Sequence, residues 1–164
     1  MQSATKMLFT AFTVLSCRPA LLQVSTESWS NLCPFDIYCA SAKGPQGGAA
    51  TGTFTATRLV PTGDESSFQS TDNDNVGVSV KCDVNEDLLH PYQLESTIAN
   101  GIAYYDLSAV DGDPFIDYKR TAVFPGPNHS TDCPVLHCEP GETSCEWPFL
   151  ETCVTTGDLL LVLC

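Results

Sequence analysis

The feature that most constrains the fold of this chain is its set of cysteines, which can pair with one another. The chain has 164 residues and nine cysteines; Cys17 lies at the edge of an apolar N-terminal run and Cys164 is the last residue. In a secreted chain of this size, an even number of cysteines is typical of a disulfide framework. We therefore expect four disulfides among the other eight, which are Cys33, Cys39, Cys82, Cys133, Cys138, Cys145, Cys153 and Cys164.

Residues 1–20 are predicted to be a secretory signal peptide. An apolar run at residues 7–17 follows Lys6; it has the length of a signal-peptide core and is too short to span a bilayer. We place cleavage between Ser16 and Ala20, and cleavage that removes Cys17 leaves the even set. A buried N-terminal helix is the alternative for this run. Residues 21–164 then suit a single domain of a secreted, extracellular protein.

The charge of the chain restricts its partners. There are 20 acidic and 7 basic residues, for a net charge of −13. Such a charge repels nucleic acid and anionic lipid and leaves neutral or cationic partners, although it also serves solubility alone. The apolar tail at residues 159–164 is too short for a membrane helix and is predicted to be a buried strand. We therefore expect no nucleic-acid or membrane partner, and a monomer.

Short β-prone segments between turn signals predict an all-β sandwich or barrel. The candidate strands are residues 32–42, 53–60, 76–84, 92–98, 101–107 and 120–124. In residues 76–84 the valines and Cys82 alternate on one face, as in a half-buried strand. Asn100 and Gly101 both tolerate positive φ and predict a tight hairpin turn. Residues 44–48 and 66–75 are predicted to be loops.

Residues 125–153 differ in amino-acid composition from the rest of the chain. They hold four cysteines and five prolines, and cannot bury much apolar surface by themselves. We expect a disulfide-tied loop lobe belonging to the same domain, with each local disulfide contributing roughly 2–4 kcal/mol. Within it, Asn128-His129-Ser130 is the single N-glycosylation sequon, which predicts a glycan on Asn128.

Metal sites are weakly indicated. Cys133, His137, Cys138 and Cys145 are close in sequence, but their spacing fits no zinc finger and disulfides are favoured in a secreted chain. Asp72 begins a segment similar to an EF-hand loop, in which the later ligand positions and the flanking helices are missing. We expect no metal and no cofactor.

Two carboxylates are candidates for catalysis. Glu95 and Asp106 lie on neighbouring predicted strands joined by the turn at Asn100-Gly101, so a hairpin would bring them within reach of one another. Glycoside hydrolysis requires paired carboxylates about 5 to 9 Å apart. The alternative is two ordinary solvent-facing or hydrogen-bonded carboxylates.

Three segments carry a resemblance to a known family. The run Asn31-Leu32-Cys33-Pro34-Phe35-Asp36-Ile37-Tyr38 resembles the opening of thaumatin-like proteins. Residues 104–112, Tyr-Tyr-Asp-Leu-Ser-Ala-Val-Asp-Gly, resemble a second segment of that family. The continuation at residues 113–115 and the stretch from residue 132 to 153 are similar to the short fungal branch, which includes antigenic thaumatin-like and yeast-phase-specific secreted proteins. The resemblance covers most of residues 31–164.

The resemblance implies a thaumatin-like β-sandwich in which the first framework cysteine, Cys33, pairs with the last, Cys164. The remaining six cysteines allow fifteen pairings, and the sequence does not choose among them. The larger members of the family have an acidic cleft that binds, and in some cases weakly hydrolyses, β-1,3-glucan. Asp106 matches an acidic position of that cleft and Glu95 lies near another, whereas the cleft arginine has no match.

Three functions follow as hypotheses. The first is a non-enzymatic secreted protein of a fungus, acting at the cell wall or at the host interface as a candidate effector. It would bind β-glucan or a host extracellular protein through aromatic faces and carboxylates, namely Tyr104, Tyr105, Asp106, Asp111 and Asp113. The second is a weak β-1,3-glucan hydrolase with Glu95 as acid and Asp106 as its partner. The third is an inhibitor of a secreted hydrolase or protease.

Overall fold

The computed structural model describes residues 25–44, 52–71, 75–125, 133–155 and 157–164, all of them in strands, turns and loops. The predicted signal peptide and the sequon at Asn128 lie outside these residues. Within them, no helix is long and apolar enough to cross a membrane. The strands are β1 Ser25–Asn31, β2 Ile37–Lys43, β3 Thr53–Phe54, β4 Arg58–Val60, β5 Glu65–Thr71, β6 Val78–Asp83, β7 Tyr92–Ala99, β8 Ile102–Ser108, β9 Arg120–Val123, β10 Leu136–Cys138, β11 Glu151–Val154 and β12 Leu159–Leu163.

The strands form two sheets. The first sheet has the order β10-β9-β12-β1-β5, and β1 and β12 run parallel at its centre. The second has the order β11-β8-β7-β6-β2-β3, with β4 also paired to β2, and its pairs are antiparallel. The all-β sandwich predicted from the sequence is therefore confirmed.

Inward-facing side chains of both sheets form one core. In β12 the alternate residues Leu159, Leu161 and Leu163 are buried, so the apolar tail is a core strand as predicted. Across the core, β7 and β8 contribute Leu94 and Leu107 to the same cluster. Because one face of each strand is committed to this core, the opposite face is left for solvent or for a ligand.

Four disulfides close the sandwich. They join Cys33 to Cys164, Cys39 to Cys82, Cys133 to Cys153 and Cys138 to Cys145. The first ties the ends of the parallel strands β1 and β12, which is the pairing that the resemblance implies. Beside it, the buried amide of Asn31 donates to the carbonyls of Phe35 and Val60 and accepts from the backbone N–H of Cys33. This amide therefore fixes the turn that presents Cys33 to its partner.

The structure differs from the sequence-based expectations at residues 66–75 and at residues 53–60. Residues 66–75 were predicted as a loop, but their first part belongs to β5, a polar strand at the edge of the first sheet. A strand at an edge can be polar because its partner β1 supplies the hydrogen bonds. The predicted strand at residues 53–60 is interrupted, and its two ends form β3 and β4 beside β2.

The cysteine-rich stretch supplies strands as well as loops. The sequence predicts a loop lobe at residues 125–153, and of its described part β10 joins the edge of the first sheet and β11 the edge of the second. Both of its disulfides are local, as expected. The stretch therefore connects the two sheets at one side of the sandwich.

Candidate functional site

The outer face of the second sheet carries the candidate site. Strand alternation turns Val80 and Leu94 inward and places their neighbours Lys81 and Glu95 on the outer face. The register then aligns Ser79, Glu95 and Asp106 in one row across β6, β7 and β8. The sheet itself therefore assembles polar side chains that are distant in the sequence.

Glu95 and Asp106 lie directly opposite each other across the β7–β8 pair. Their Cβ atoms are accordingly about 5 Å apart, since opposed residues of antiparallel strands have that spacing. The predicted tight turn sets this register: Ala99 pairs with Ile102, and the two residues between them, Asn100 and Gly101, have φ of 54° and 76°. The structure therefore brings the two candidate catalytic carboxyls together.

Burial and mutual repulsion determine how this pair is charged. Burial raises the pKa of Asp106 to about 7, and the negative charge of Glu95 adds to the rise. Burial also raises the pKa of Glu95, against the attraction of Lys81 and with the repulsion of Asp111. Asp106 is therefore the member of the pair that keeps its proton up to about pH 7.

A hydrogen-bonded row of side chains borders the pair. The Nζ of Lys81 lies 2.7 Å from Oδ2 of Asp111, and Nε2 of Gln93 donates to the same oxygen at 3.1 Å. The hydroxyl of Ser79 in turn donates to Oε1 of Gln93 at 3.1 Å. Asp111 belongs to the loop after β8, so this row fastens that loop to the face of the sheet beside Glu95.

A cleft of about 540 Å³ is lined by Ser79, Lys81, Gln93, Glu95 and Asp106, whereas Asp111 is not part of its lining. Its floor includes Glu95 and Asp106, and its walls include the ring of Tyr104 and the exposed apolar side chains of Phe54 and Leu150. Oδ2 of Asp106 is buried and has no hydrogen-bond partner among the described residues. The cleft thus combines apolar walls with a few convergent polar groups, as ligand sites commonly do.

Two of the residues proposed from the sequence lie elsewhere. Tyr105 points into the core, where its ring packs edge-on against Phe124 and its hydroxyl donates to the carbonyl of Pro134. Adjacent residues of a strand face opposite sides, so Tyr104 and Tyr105 cannot share one surface. Asp113 lies beside the buried guanidinium of Arg120, with Oδ2 of Asp113 3.7 Å from Nη2. The structure does not bring either residue to the cleft.

Arg120 belongs to a buried network that supports the sandwich. Its Nη2 lies 2.8 Å from Oε1 of Glu146 and also donates to the carbonyl of Glu142, while Nη1 donates to the carbonyls of Ile116 and Tyr118. Glu146 in turn forms a parallel bridge with Leu107 of β8. This network joins the first sheet to the second on the side away from the carboxyl pair.

The structure gives no support to a metal centre in the part of the chain that it describes. No group of three or more His, Cys, Asp or Glu residues there could hold an ion. Cys133, Cys138 and Cys145 are all in disulfides, and Nε2 of His137 pairs with Oε1 of Glu139 at 2.7 Å. Residues 72–74, the start of the calcium-like segment, lie outside the described residues.

Sequence reasoning missed several residues of the site. Lys81 and Gln93 were not proposed, although the alternation that assigns Val80 and Cys82 to the core already places Lys81 on the outer face. Phe54 and Leu150 carry no such signal. Phe54 lies on the two-residue strand β3 and Leu150 lies directly before β11, so their places beside the cleft depend on tertiary packing and not on a strand period.

Comparison with known proteins places the chain in a family. The sequence profile of the family described as "Bys1: Blastomyces yeast-phase-specific protein" matches residues 24–164. The antigenic thaumatin-like protein of Arthroderma benhamiae is 29% identical over 171 residues, which cover 94% of this chain and 82% of the relative. These matches confirm the resemblance found in the sequence.

Two solved structures share the fold. The protein elicitor MoHrip2 from Magnaporthe oryzae superposes with a TM-score of 0.67 at 23% identity, over 85% of this chain and 98% of its own. The thaumatin-like xylanase inhibitor TLXI superposes with a TM-score of 0.55 at 14% identity, over 84% of this chain and 98% of its own. At these identities the likeness establishes the thaumatin-like sandwich alone.

Proposed function

Since this chain belongs to the Bys1 family of Blastomyces yeast-phase-specific proteins, we propose that it is a secreted, non-enzymatic protein that binds a neutral polysaccharide at the fungal cell wall or the host interface. β-Glucan is the proposed ligand, and the cleft on the outer face of the second sheet is the proposed site. The carboxyl pair at the floor of an apolar-walled cleft is the observation that carries this proposal.

The polar groups of the cleft suit sugar hydroxyls. A protonated Asp106 donates one hydrogen bond, and Glu95 accepts, so the pair matches hydroxyl groups that both donate and accept. Oδ2 of Asp106 is buried, so a sugar hydroxyl would meet the other carboxyl oxygen at the small part of the residue that is exposed. A neutral polymer also avoids the repulsion that the net charge of −13 imposes on anionic ligands.

The apolar walls suit the faces of sugar rings. Tyr104 lies on the same face of the hairpin as the carboxyl pair, and Phe54 and Leu150 also line the cleft. Aromatic side chains bury large areas with little loss of conformational freedom and are common in binding sites for that reason. Asp111 contributes indirectly, by holding Lys81 and Gln93 in place at the edge of the cleft.

Binding without cleavage is favoured by the position of Asp106. A retaining glycosidase needs one carboxyl to attack the sugar carbon while the other donates a proton. Asp106 is 5% exposed, which allows one hydrogen bond at the edge of its carboxyl but leaves little room for attack on a sugar carbon.

A weak β-1,3-glucan hydrolase is the second candidate. The observation in its favour is the spacing of the pair together with the proton that Asp106 retains up to about pH 7. In that case Asp106 would be the acid and Glu95 the charged partner, the reverse of the roles assigned from the sequence. Inhibition of a secreted hydrolase remains the third candidate, for which a xylanase is the natural assay enzyme given the neighbouring fold.

The test is retention of the oxidised protein on insoluble β-1,3-glucan, chitin and mannan, with reducing sugar assayed in the same tubes. We expect retention on glucan without sugar release, and loss of retention in Glu95→Gln; Asp106→Asn, whose amide is neutral like the protonated carboxyl, should still be retained. Glu65→Gln, an exposed carboxyl on the edge strand β5, is the control and should be retained like the wild type. Sugar release that both cleft variants abolish would establish the hydrolase instead.

A further inference from the structure

A short apolar segment at the border of the proposed site is exposed where a folded protein would ordinarily bury it. Trp147, Phe149 and Leu150 are 58%, 47% and 44% exposed and lie within four consecutive residues. We call Trp147, Phe149 and Leu150 the apolar rim. Single exposed apolar residues are normal on protein surfaces, but contiguous ones commonly mark an interaction site. Only Leu150 of the three also lines the cleft.

The apolar rim is held rigidly. The backbone N–H of Trp147 donates to the carbonyl of Leu107 at 2.7 Å, and that of Phe149 donates to the carbonyl of Glu146 at 2.9 Å. Glu146 itself is fixed by the fully buried guanidinium of Arg120. A partner that docks here would therefore not have to order the backbone of the segment, which lowers the entropic cost of binding.

Disulfides bracket the same segment. The Cys138–Cys145 bond lies just before the rim, and the Cys133–Cys153 bond lies just after it. The exposure of the aromatic rings is thus a fixed property of the folded chain. Rigid, exposed Trp and Phe side chains are among the commonest anchors of protein–protein interfaces.

The chain segment that carries the apolar rim is acidic. Residues 133–164 contain Glu139, Glu142, Glu146, Glu151 and Asp158 and no Lys or Arg. Glu146 is neutralised by its buried ion pair with Arg120. The carboxylate of Glu142 accepts hydrogen bonds from the Ser144 hydroxyl and from the backbone N–H of Glu139, which holds its pKa below the ordinary value. Along the chain, acids therefore stand on both sides of the apolar rim, with Glu142 before it and Glu151 directly after it, while Lys43 and Lys81 line the cleft beside Leu150.

We propose that the apolar rim docks a protein partner whose own surface presents an apolar patch flanked by lysine or arginine. The acids steer such a partner and the aromatic side chains anchor it. A second copy of this chain is disfavoured, because each copy carries a charge of −13. A neutral polysaccharide would gain nothing from the flanking acids, so this surface is separate in its chemistry from the cleft.

The test selects partners from a phage-displayed library of random short peptides on the immobilised, oxidised wild-type protein. Recovered peptides are then measured against wild type, Trp147→Ser, Phe149→Ser and the control Leu32→Ser. Leu32 is 57% exposed and follows β1, in the first sheet. Retention on glucan and the melting temperature of each variant check that the fold and the cleft are intact.

We expect the recovered peptides to combine an apolar residue with lysine or arginine. Their affinity should fall about tenfold or more in Trp147→Ser and Phe149→Ser, as for the loss of an interface anchor, and should be unchanged in Leu32→Ser. Peptides without basic residues, equal binding to all variants, or no selected peptide would each overturn the proposal. So would rim-dependent self-association in sedimentation, or rim-dependent binding to phosphatidylcholine vesicles.

Discussion

At the scale of single residues, Glu27 is a buried carboxyl between the two sheets whose protonation makes the stability of the fold depend on pH. Glu27 is 2% exposed on β1 of the first sheet and accepts a hydrogen bond from Ser96 on β7 of the second. Its other oxygen is buried with no partner among the described residues. Burial therefore raises its pKa to about 7, against the opposing effect of the Ser96 hydroxyl. The protonated form is the one that this part of the core accommodates.

The first prediction is that Glu27 makes the protein more stable in acid. The folded-state pKa of about 7 exceeds the ordinary 4.5, so its contribution is complete below about pH 4.5 and is lost as the pH rises through 7. The loss is roughly 3 kcal/mol in the free energy of unfolding. The pKa of Asp106 is also raised, so Asp106 likewise lowers the free energy of unfolding as the pH rises. Chemical unfolding at a series of pH values measures the effect.

Substitution of Glu27 by Gln tests this assignment. The variant cannot ionise at this position, so we expect its free energy of unfolding to depend less on pH between 5 and 8, with the contribution of Asp106 remaining. The exposed Glu65→Gln should keep the wild-type slope. An unchanged slope in Glu27→Gln would show that another group is responsible.

At the scale of elements, the sequence predicted best where a short-range rule decides the structure. The turn at Asn100-Gly101 was predicted because both residues tolerate positive φ, and it sets the register that aligns Glu95 with Asp106. The alternation in β6 likewise predicted which of its residues enter the core. The polar strand β5 was missed because its place at a sheet edge depends on pairing with β1, which no local pattern reports.

The second prediction concerns this turn. Gly101 has φ of 76°, a region in which a side chain is strained, so Gly101→Ala should lower the free energy of unfolding by about 1 kcal/mol. Asn100→Gly should be close to neutral, since glycine accepts the φ of 54° at that position. Urea unfolding of the two variants makes the comparison. Equal losses in both would mean that the turn conformation is not what stabilises the hairpin.

The candidate site also shows that local sequence patterns do not report which side chains the fold brings together. The sequence selected neighbours along the chain, namely Tyr104, Tyr105, Asp106, Asp111 and Asp113. The pleat of β8 turns Tyr105 into the core, and Asp113 lies beside Arg120 instead. Lys81 joins them only through the order of strands in the sheet. Residue types and their local spacing were therefore predictable, whereas the membership of the site required the topology.

At the scale of the whole molecule, the disulfides divide into one long-range and three shorter connections. The Cys33–Cys164 bond spans 131 residues, against 43, 20 and 7 for the others. The resemblance to thaumatin-like proteins implied this pairing, while the remaining cysteines left fifteen combinations open from the sequence. Spatial proximity of the strands is what selects one of them.

The third prediction compares two of these bonds. In the chain-entropy picture, the loop closed by Cys33–Cys164 contributes about 5 kcal/mol and that closed by Cys138–Cys145 about 2 kcal/mol. The paired change of Cys33 and Cys164 to Ser should therefore shift the urea midpoint far more than the same change at Cys138 and Cys145. A larger shift from the short loop would show that local packing and not chain entropy dominates.

The most direct test of the central claim is calorimetric titration of the oxidised protein with a soluble β-1,3-glucan oligosaccharide from pH 5 to 8, with recovery of the oligosaccharide afterwards. We predict binding that weakens as the pH rises through about 7, where Asp106 loses its proton, because a second charge opposes burial under a neutral ligand. We also predict a flatter profile in Asp106→Asn and an intact oligosaccharide. No binding at any pH, or equal affinity in wild type and Glu95→Gln, would contradict the assignment of the cleft as the binding site.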